Sequence, residues 1–371
     1  MSVSTVPTPK RPEETTALRR GWTTGACAAA ASAAAFEALS GRGFEDPVTL
    51  TLPGGQTPAF ALAHEARSED PADPWAEAGI IKDAGDDPDI THGALVKARL
   101  RPGPSGSGLR FESGEGVGTV TKPGLPIAVG EPSITPGPRE QITAALQARN
   151  GGRIPDVVVT LSIPGGEDMA RQTLNPRLGV VGGLSILGTT GIVIPYSCSS
   201  WIHSIHRGID VARALGIDHV IGSTGDRSEQ AARQLFNAPD ESLLDMGDFA
   251  GGMLKYLARH PVPRVTIAGG IGKLTKLAQG ALDLHSGRSQ VDIGFLASLV
   301  EASEPAAGSA LDLSEVDTAA QALLACEAAA VPLGDLVAAQ AQQTAQAVVN
   351  DASRVDILVF DRSGRLVGRA D

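Results

Sequence analysis

The sequence predicts a two-domain chain whose C-terminal half is an open, largely parallel sheet covered by helices. Three observations carry this expectation. A length of 371 residues exceeds what one ordinary core holds. Apolar residues make up 42% and charged residues 20%, an ordinary globular balance. From about residue 151 onward, short apolar runs alternate with helical patterns, the mark of strand–helix–strand units. The expected domains are therefore 19–150 and 151–371, after a disordered tail over 1–18 that lacks the apolar region of a signal peptide. Glycine is abundant at 44 residues and aromatics are scarce at 4%, which points to close backbone packing and away from stacking surfaces. A formal net charge of −11 disfavours nucleic acid and anionic membranes as partners. Cys27, Cys198 and Cys326 form no C-x-x-C pair, which suits a reducing cytosol and supplies no metal site. No apolar stretch is long enough to span a bilayer, so a cytoplasmic protein is expected.

In the first domain, Arg19-Arg20-Gly21-Trp22-Thr23-Thr24-Gly25 precedes an alanine run. Alanine has the highest helix propensity and Thr23 or Thr24 can cap, so a helix is expected over 26–39, ended by Gly41 and Gly43. Its small first-turn side chains would let a ligand reach the helix N-terminus. Strands are expected at 48–52 and 59–63 around Pro53-Gly54-Gly55-Gln56, then at 94–100 and 109–112. Between them, Ile80–Gly93 gathers Asp83, Asp86, Asp87 and Asp89 beside Lys82 and His92. This spacing fails the calcium-loop pattern; a magnesium site on one or two of the acids and a solvated turn both remain open. Like charges this close repel, so one carboxylate is expected to be protonated or poised as a base. Gly114–Thr119 is not G-x-G-x-x-G, and a dinucleotide fingerprint is not supported. A connecting helix is expected at 138–150, with Gly151-Gly152 as a hinge.

In the second domain, parallel strands are expected at 157–163, 179–186, 219–223 and 265–268. Helices should run over 201–215, 228–236, 249–259 and 274–282, followed by covering helices at 293–301, 314–329 and 333–352. A strand at 355–360 and a segment at 365–368 close the chain. Ligands of such sheets bind outside the carboxyl ends of the strands. The glycine-bearing turns expected there are 164–167, Leu187–Gly191, Thr224–Asp226 and Gly269–Lys273. The central run Leu178–Ser197 is cut at Gly182-Gly183, Gly188 and Gly191 and carries the hydroxyls of Thr189 and Thr190, a composition that lets a ligand approach the main chain. Gly272-Lys273 is not a P-loop, because Ile267 and Leu274 stand where glycine and Ser/Thr are needed. His285, between Asp283 and Arg288, is either structural or a proton acceptor.

Several of these motifs together resemble one family. Gly21-Trp22-Thr23-Thr24-Gly25, Lys82 to Thr91, Gly116-Val117-Gly118 to Leu125, Thr173 to Gly179, Gly182 to Gly191, and Gly272-Lys273-Leu274 to Ala278 resemble the CbiD methyltransferases of corrin-ring assembly, in family order from about residue 20 to 295. The resemblance implies an α+β N-terminal domain joined to a Rossmann-like C-terminal domain. It also implies S-adenosylmethionine-dependent methylation of C1 of cobalt-precorrin-5B, a cobalt-containing tetrapyrrole, to cobalt-precorrin-6A. On that reading Gly182, Gly183, Gly188, Thr189, Thr190, Gly191, Gly225 and Asp226 hold the donor, with Asp226 accepting ribose hydroxyls. Thr23, Thr24 and the cations Arg20, Lys82, Lys122, Arg177, Lys273 and Lys276 meet the ring and its carboxylates. Asp83, Asp86, Asp87 or His285 manages the proton, no protein-bound metal is implied, and a homo-oligomer is compatible. The chain departs from the family pattern at Gly225-Asp226, Gly270 and Leu284. The rival readings are a non-catalytic corrinoid carrier, a related precorrin methyltransferase with another metal preference, and a nucleotide-dependent transferase.

Overall fold

The computed structural model describes residues 18–303 and 311–371, so the expected tail lies outside the described residues except for Leu18. The chain forms two compact units that are interleaved in sequence. The first comprises residues up to Leu109, then Gly137–Val159 and Leu187–Tyr196; the second comprises Arg110–Pro136, Thr160–Ile186 and Ser197–Asp371. A single boundary near residue 150 was expected instead.

The chain opens with β1 (Gly21–Trp22), α1 (Thr24–Leu39), β2 (Val48–Thr49), β3 (Ala59–Phe60), β4 (His64–Arg67), β5 (Ala76–Ile81) and β6 (Leu95–Pro102). Next come β7 (Leu109–Ser113), β8 (Thr119–Val120), α2 (Pro136–Arg149), β9 (Val157–Ser162), α3 (Gly166–Ala170), β10 (Val180–Val181) and β11 (Ile192–Val193). Then follow α4 (Cys198–Ala214), β12 (His219–Ser223), α5 (Asp226–Phe236), β13 (Leu243–Asp245), α6 (Ala250–Leu257), β14 (Arg264–Gly270) and α7 (Ile271–Ala278). The described chain ends with α8 (Ile293–Ser303), α9 (Ala319–Ala328), α10 (Leu333–Val349), β15 (Arg354–Phe360) and β16 (Leu366–Ala370).

In the first unit α1 lies on β5 and β6, which pair antiparallel with Ala78 opposite Ala98 and Ile80 opposite Val96. Alanine on both layers lets the helix backbone come close to the sheet, and Ala26 to Ala35 are almost wholly buried. Strand β5 has no expectation in the sequence because Ala-Glu-Ala-Gly-Ile-Ile has weak β propensity. It carries the buried Glu77, whose charge is met by Lys97 at 3.2 Å and Arg99 at 2.9 Å.

In the second unit the strand order is β13-β12-β14-β15-β16, with the first four parallel and β16 antiparallel. Alternation along the strands separates two apolar faces. Ile221, Leu243, Ala268 and Leu358 pack with Ala232 of α5 on one face. Val220, Leu244, Val265 and Ile357 pack with α4, α6, α7, α8, α9 and α10 on the other.

Two of the expected parallel strands belong elsewhere. The expected strand 157–163 is β9 (Val157–Ser162), in the sheet ordered β4-β5-β6-β9-β7. Of 179–186 only Val180–Val181 is extended, pairing antiparallel with β8. Beyond it a Cβ on Gly183 would lie 2.2 Å from the main chain of Gly116, and Leu184 and Ile186 make only isolated parallel bridges, to Val117 and Ile134. Among the described residues, no helix is long and apolar enough to cross a membrane.

Candidate active site

Within the first unit, three of the motifs fold into one another. A Cβ on Gly21 would sit 2.0 Å from the carbonyl carbon of Ala84, and one on Gly85 would sit 2.2 Å from the carbonyl oxygen of Arg19. The two backbones therefore touch, joined by Trp22 N–H to Asp83 O at 2.7 Å and Asp86 N–H to Arg19 O at 2.9 Å. On the other side β1 pairs with β11, Thr23 N–H donates to Gly191 O, and Gly25 N–H donates to Leu187 O, both at 2.9 Å. Asp83, Asp86, Asp87, Thr23, Thr24 and Gly188 to Gly191 thus share this unit, and Leu187–Gly191, expected in the unit of the parallel sheet, does not belong to it. Glycine at 188 makes room for the side chain of Thr23, 2.2 Å from where a Cβ would stand. The N-terminus of α1 is not open to a ligand, because the Leu187 carbonyl and the Thr23 hydroxyl, 3.1 Å from Ala26 N, occupy it. Thr24 is buried.

Each carboxylate of the cluster has its own partner. Arg19 grips Asp83 with two guanidinium nitrogens at 2.5 and 2.9 Å. That grip, with the Gly85 N–H, holds the Asp83 carboxyl down at about 2. Burial alone would raise Asp89, but Lys82 and Thr91 outweigh it and the net shift is downward. Asp86 accepts from the Arg19 N–H at 2.6 Å and Asp87 from the Tyr196 N–H at 2.8 Å. The expectation of a poised base therefore fails for Asp83, whose low pKa makes it a weak one.

Lys82 is 1% exposed and sits 2.5 Å from Asp89, so it braces the loop and does not reach a ligand. Lys276 is also buried, donating to the Leu284 carbonyl at 3.0 Å. Lys122 pairs with Glu241, Arg177 with Glu229 and Lys273 with Asp248, all partly exposed. Arg20 is exposed and has no ion pair among the described residues.

In the second unit the carboxyl ends of the parallel strands carry the turns beside which ligands of such sheets bind. From β12 the chain goes through α5 to the neighbouring β13, whereas from β14 it goes through α7 toward β15 on the other side. With α5 and α7 on opposite faces, the ends of β12 and β14 form the topological switch point. Thr224 N–H donates to Ala268 O at 3.0 Å, so the loops that follow lie side by side. Among the described residues, and leaving aside the adjoining backbone, no heavy atom lies within 4 Å of a Cβ position at Gly225 or Gly272, and at Gly270 the nearest, Phe360 O, is at 4.0 Å. The buried Ser223 hydroxyl has no hydrogen-bond partner among the described residues. Asp226 opens α5, whose N-cap has no side-chain hydrogen bond. Gly182 has open space beside it, but the space beside Gly183 is filled by Gly116.

His285 is exposed and its Nδ1 accepts the Gly287 N–H at 3.1 Å. That engages the lone pair a base would use, and Asp283 is itself paired with Arg288. Sequence reasoning missed Tyr196, 66% exposed with a φ of 55°, and Trp201, whose Nε1 donates to Asp245 O at 2.9 Å. It also missed Asp245, half-buried at the end of β13. Burial, then Glu229 and Asp226, raise the Asp245 carboxyl, and Arg177 opposes them. An aromatic or an acid outside any motif carries no sequence signal that would have found it.

Comparison with known proteins gives one consistent answer. The CbiD family model matches residues 11–195, and the model described as CbiD, C-terminal domain, matches residues 283–371. A relative from Bradyrhizobium sp. (strain BTAi1 / ATCC BAA-1182) is 56% identical over 95% of this chain and 93% of its own length. One from Halorhodospira halophila is 56% identical over 96% and 95%, and one from Brucella abortus 52% identical over the whole of both. All three bear the name cobalt-precorrin-5B C(1)-methyltransferase. A crystal structure of the cobalamin biosynthesis protein CbiD from Archaeoglobus fulgidus is 26% identical, covers 73% of this chain and 83% of that one, and superposes with a TM-score of 0.37.

Proposed function

The chain belongs to the CbiD family, and from that premise we propose that it transfers a methyl group from S-adenosylmethionine to C1 of cobalt-precorrin-5B, giving cobalt-precorrin-6A. The observation that carries this reading is identity of 56% along 95% of the chain to a relative of that name.

We read the second unit as Rossmann-like and its switch-point crevice as the donor site. The room beside Gly225, Gly270 and Gly272 and the unpartnered Ser223 hydroxyl support a ligand lying against the main chain there. When bound, the donor supplies an electrophilic methyl carbon on a positively charged sulfonium. The protein's own task is then alignment and exclusion of water, because no strong acid is needed to release a neutral thioether.

Arg20, without an ion pair among the described residues, offers its guanidinium to a ring carboxylate. Lys122, Arg177 and Lys273 reach a ring carboxylate by exchanging an internal one for it. Asp86 and Asp87, neither committed to a cationic side chain among the described residues, are the acids left to take up a proton. Incubation with donor and cobalt-precorrin-5B, followed by mass spectrometry, should show the ring gaining the mass of one methyl. Ring binding with no gain would leave a carrier in place of an enzyme.

A further inference from the structure

Resting on the reading of the second unit as the donor site, we infer that Asp245, and not Asp226, is the residue that recognises the ribose hydroxyls of the adenosyl donor. The position comes first. Strand β12, the glycine turn at Gly225, helix α5 and strand β13 form one strand–helix–strand unit whose strands are parallel neighbours. In nucleotide-binding sheets of this topology, the acid that reads ribose stands at the end of the second strand, roughly 20 residues after the glycine turn. Asp245 is the last residue of β13.

The surroundings agree. Ser223 and Asp245 are register partners across β12 and β13, so both side chains project to the face that carries α5. The Ser223 hydroxyl is 1% exposed and without a partner, an independent sign that a polar ligand completes this edge. The Asp245 carboxylate has no hydrogen bond or ion pair among the described residues, although it is half-buried and flanked by Glu229 and Asp226. An acceptor held among like charges, with no donor of its own, is completed by two neutral hydroxyl donors better than by a third anion. Asp226 differs, since it lies in the first turn of a helix, where a carboxylate is already stabilised by the main-chain dipole.

The test is calorimetric binding of S-adenosylhomocysteine and of its analogue lacking both ribose hydroxyls to the full-length protein and to Asp245→Asn and Asp226→Asn. The unmodified protein should prefer the hydroxylated ligand by about tenfold. Asp245→Asn should lose that preference while melting no lower than the parent, because the substitution relieves repulsion. Retained preference in Asp245→Asn, or its loss in Asp226→Asn alone, overturns the assignment and leaves the donor site standing. Absence of any saturable binding by the unmodified protein overturns both. Should Asp245→Asn fold poorly, Asp245→Glu serves: it keeps the charge, moves the oxygens, and should weaken the preference without abolishing binding.

Discussion

Asp87 has one observed contact and one proposed role, and a substitution can separate them. One carboxylate oxygen accepts the N–H of Tyr196, whose left-handed backbone is costly for a residue with a Cβ and persists only because its surroundings hold it. Asparagine keeps an acceptor there and alanine does not. We therefore expect Asp87→Asn to melt like the parent and Asp87→Ala to lose about 1 kcal/mol, while both lose kcat by roughly 100-fold or more if the charge takes up a proton. An active Asp87→Asn would reduce the residue to a support for Tyr196. Asp83 behaves differently with pH. Its folded pKa of about 2 lies below its ordinary 3.8, so its pairing with Arg19 contributes stability above pH 3.8, and that contribution disappears as pH falls toward 2. The pair is largely exposed, so the contribution is small. A carboxyl NMR titration should place the Asp83 midpoint near 2, and a midpoint near 4 would mean that Arg19 does not hold it in solution.

Among the turns and strands, glycine has two opposite uses. At Gly21 the missing Cβ is replaced by the backbone of Ala84, whereas at Gly225 it is replaced by nothing. Gly21→Ala should therefore cost stability heavily, about 3 kcal/mol or more, as overpacking against an unyielding main chain does. Gly225→Ala should leave the melting temperature unchanged and weaken S-adenosylhomocysteine binding. If Gly225→Ala binds normally, the crevice is not the donor site. The same distinction explains why the sequence over-read its glycine turns: Gly183 and Gly188 look like ligand cradles but are filled by Gly116 and Thr23. Composition reports that something approaches the backbone, and it does not report whether that something is a ligand or the protein itself.

At the scale of the whole molecule, the interleaved units make a cut at residue 150 untenable. A fragment ending at Asn150 loses Val193 and Ile192, the partners of β1, and the Leu187 carbonyl that receives the Gly25 N–H. It also exposes the edge of β6 that β9 covers. Such a fragment should be unfolded or aggregated by circular dichroism and light scattering; a cooperative melt would show that the Leu187–Tyr196 segment is dispensable. Local patterns fixed much of the rest without any structure. Alanine propensity with Thr23 as cap specified α1, and strong apolar runs bounded by turns specified β12, β14 and β15 within a residue or two. The CbiD motifs were equally legible, because they are long and contiguous in the chain. What the tertiary structure alone decided is which segments meet: that Leu187–Gly191 joins the alanine helix and not the parallel sheet, that Lys82 and Lys276 are buried braces, and that Asp245 ends the strand next to β12. The two lysines brace against partners only seven and eight positions away, but their burial and the meeting of the segments depend on packing with distant parts of the chain, of which a periodicity read over a dozen residues carries no record.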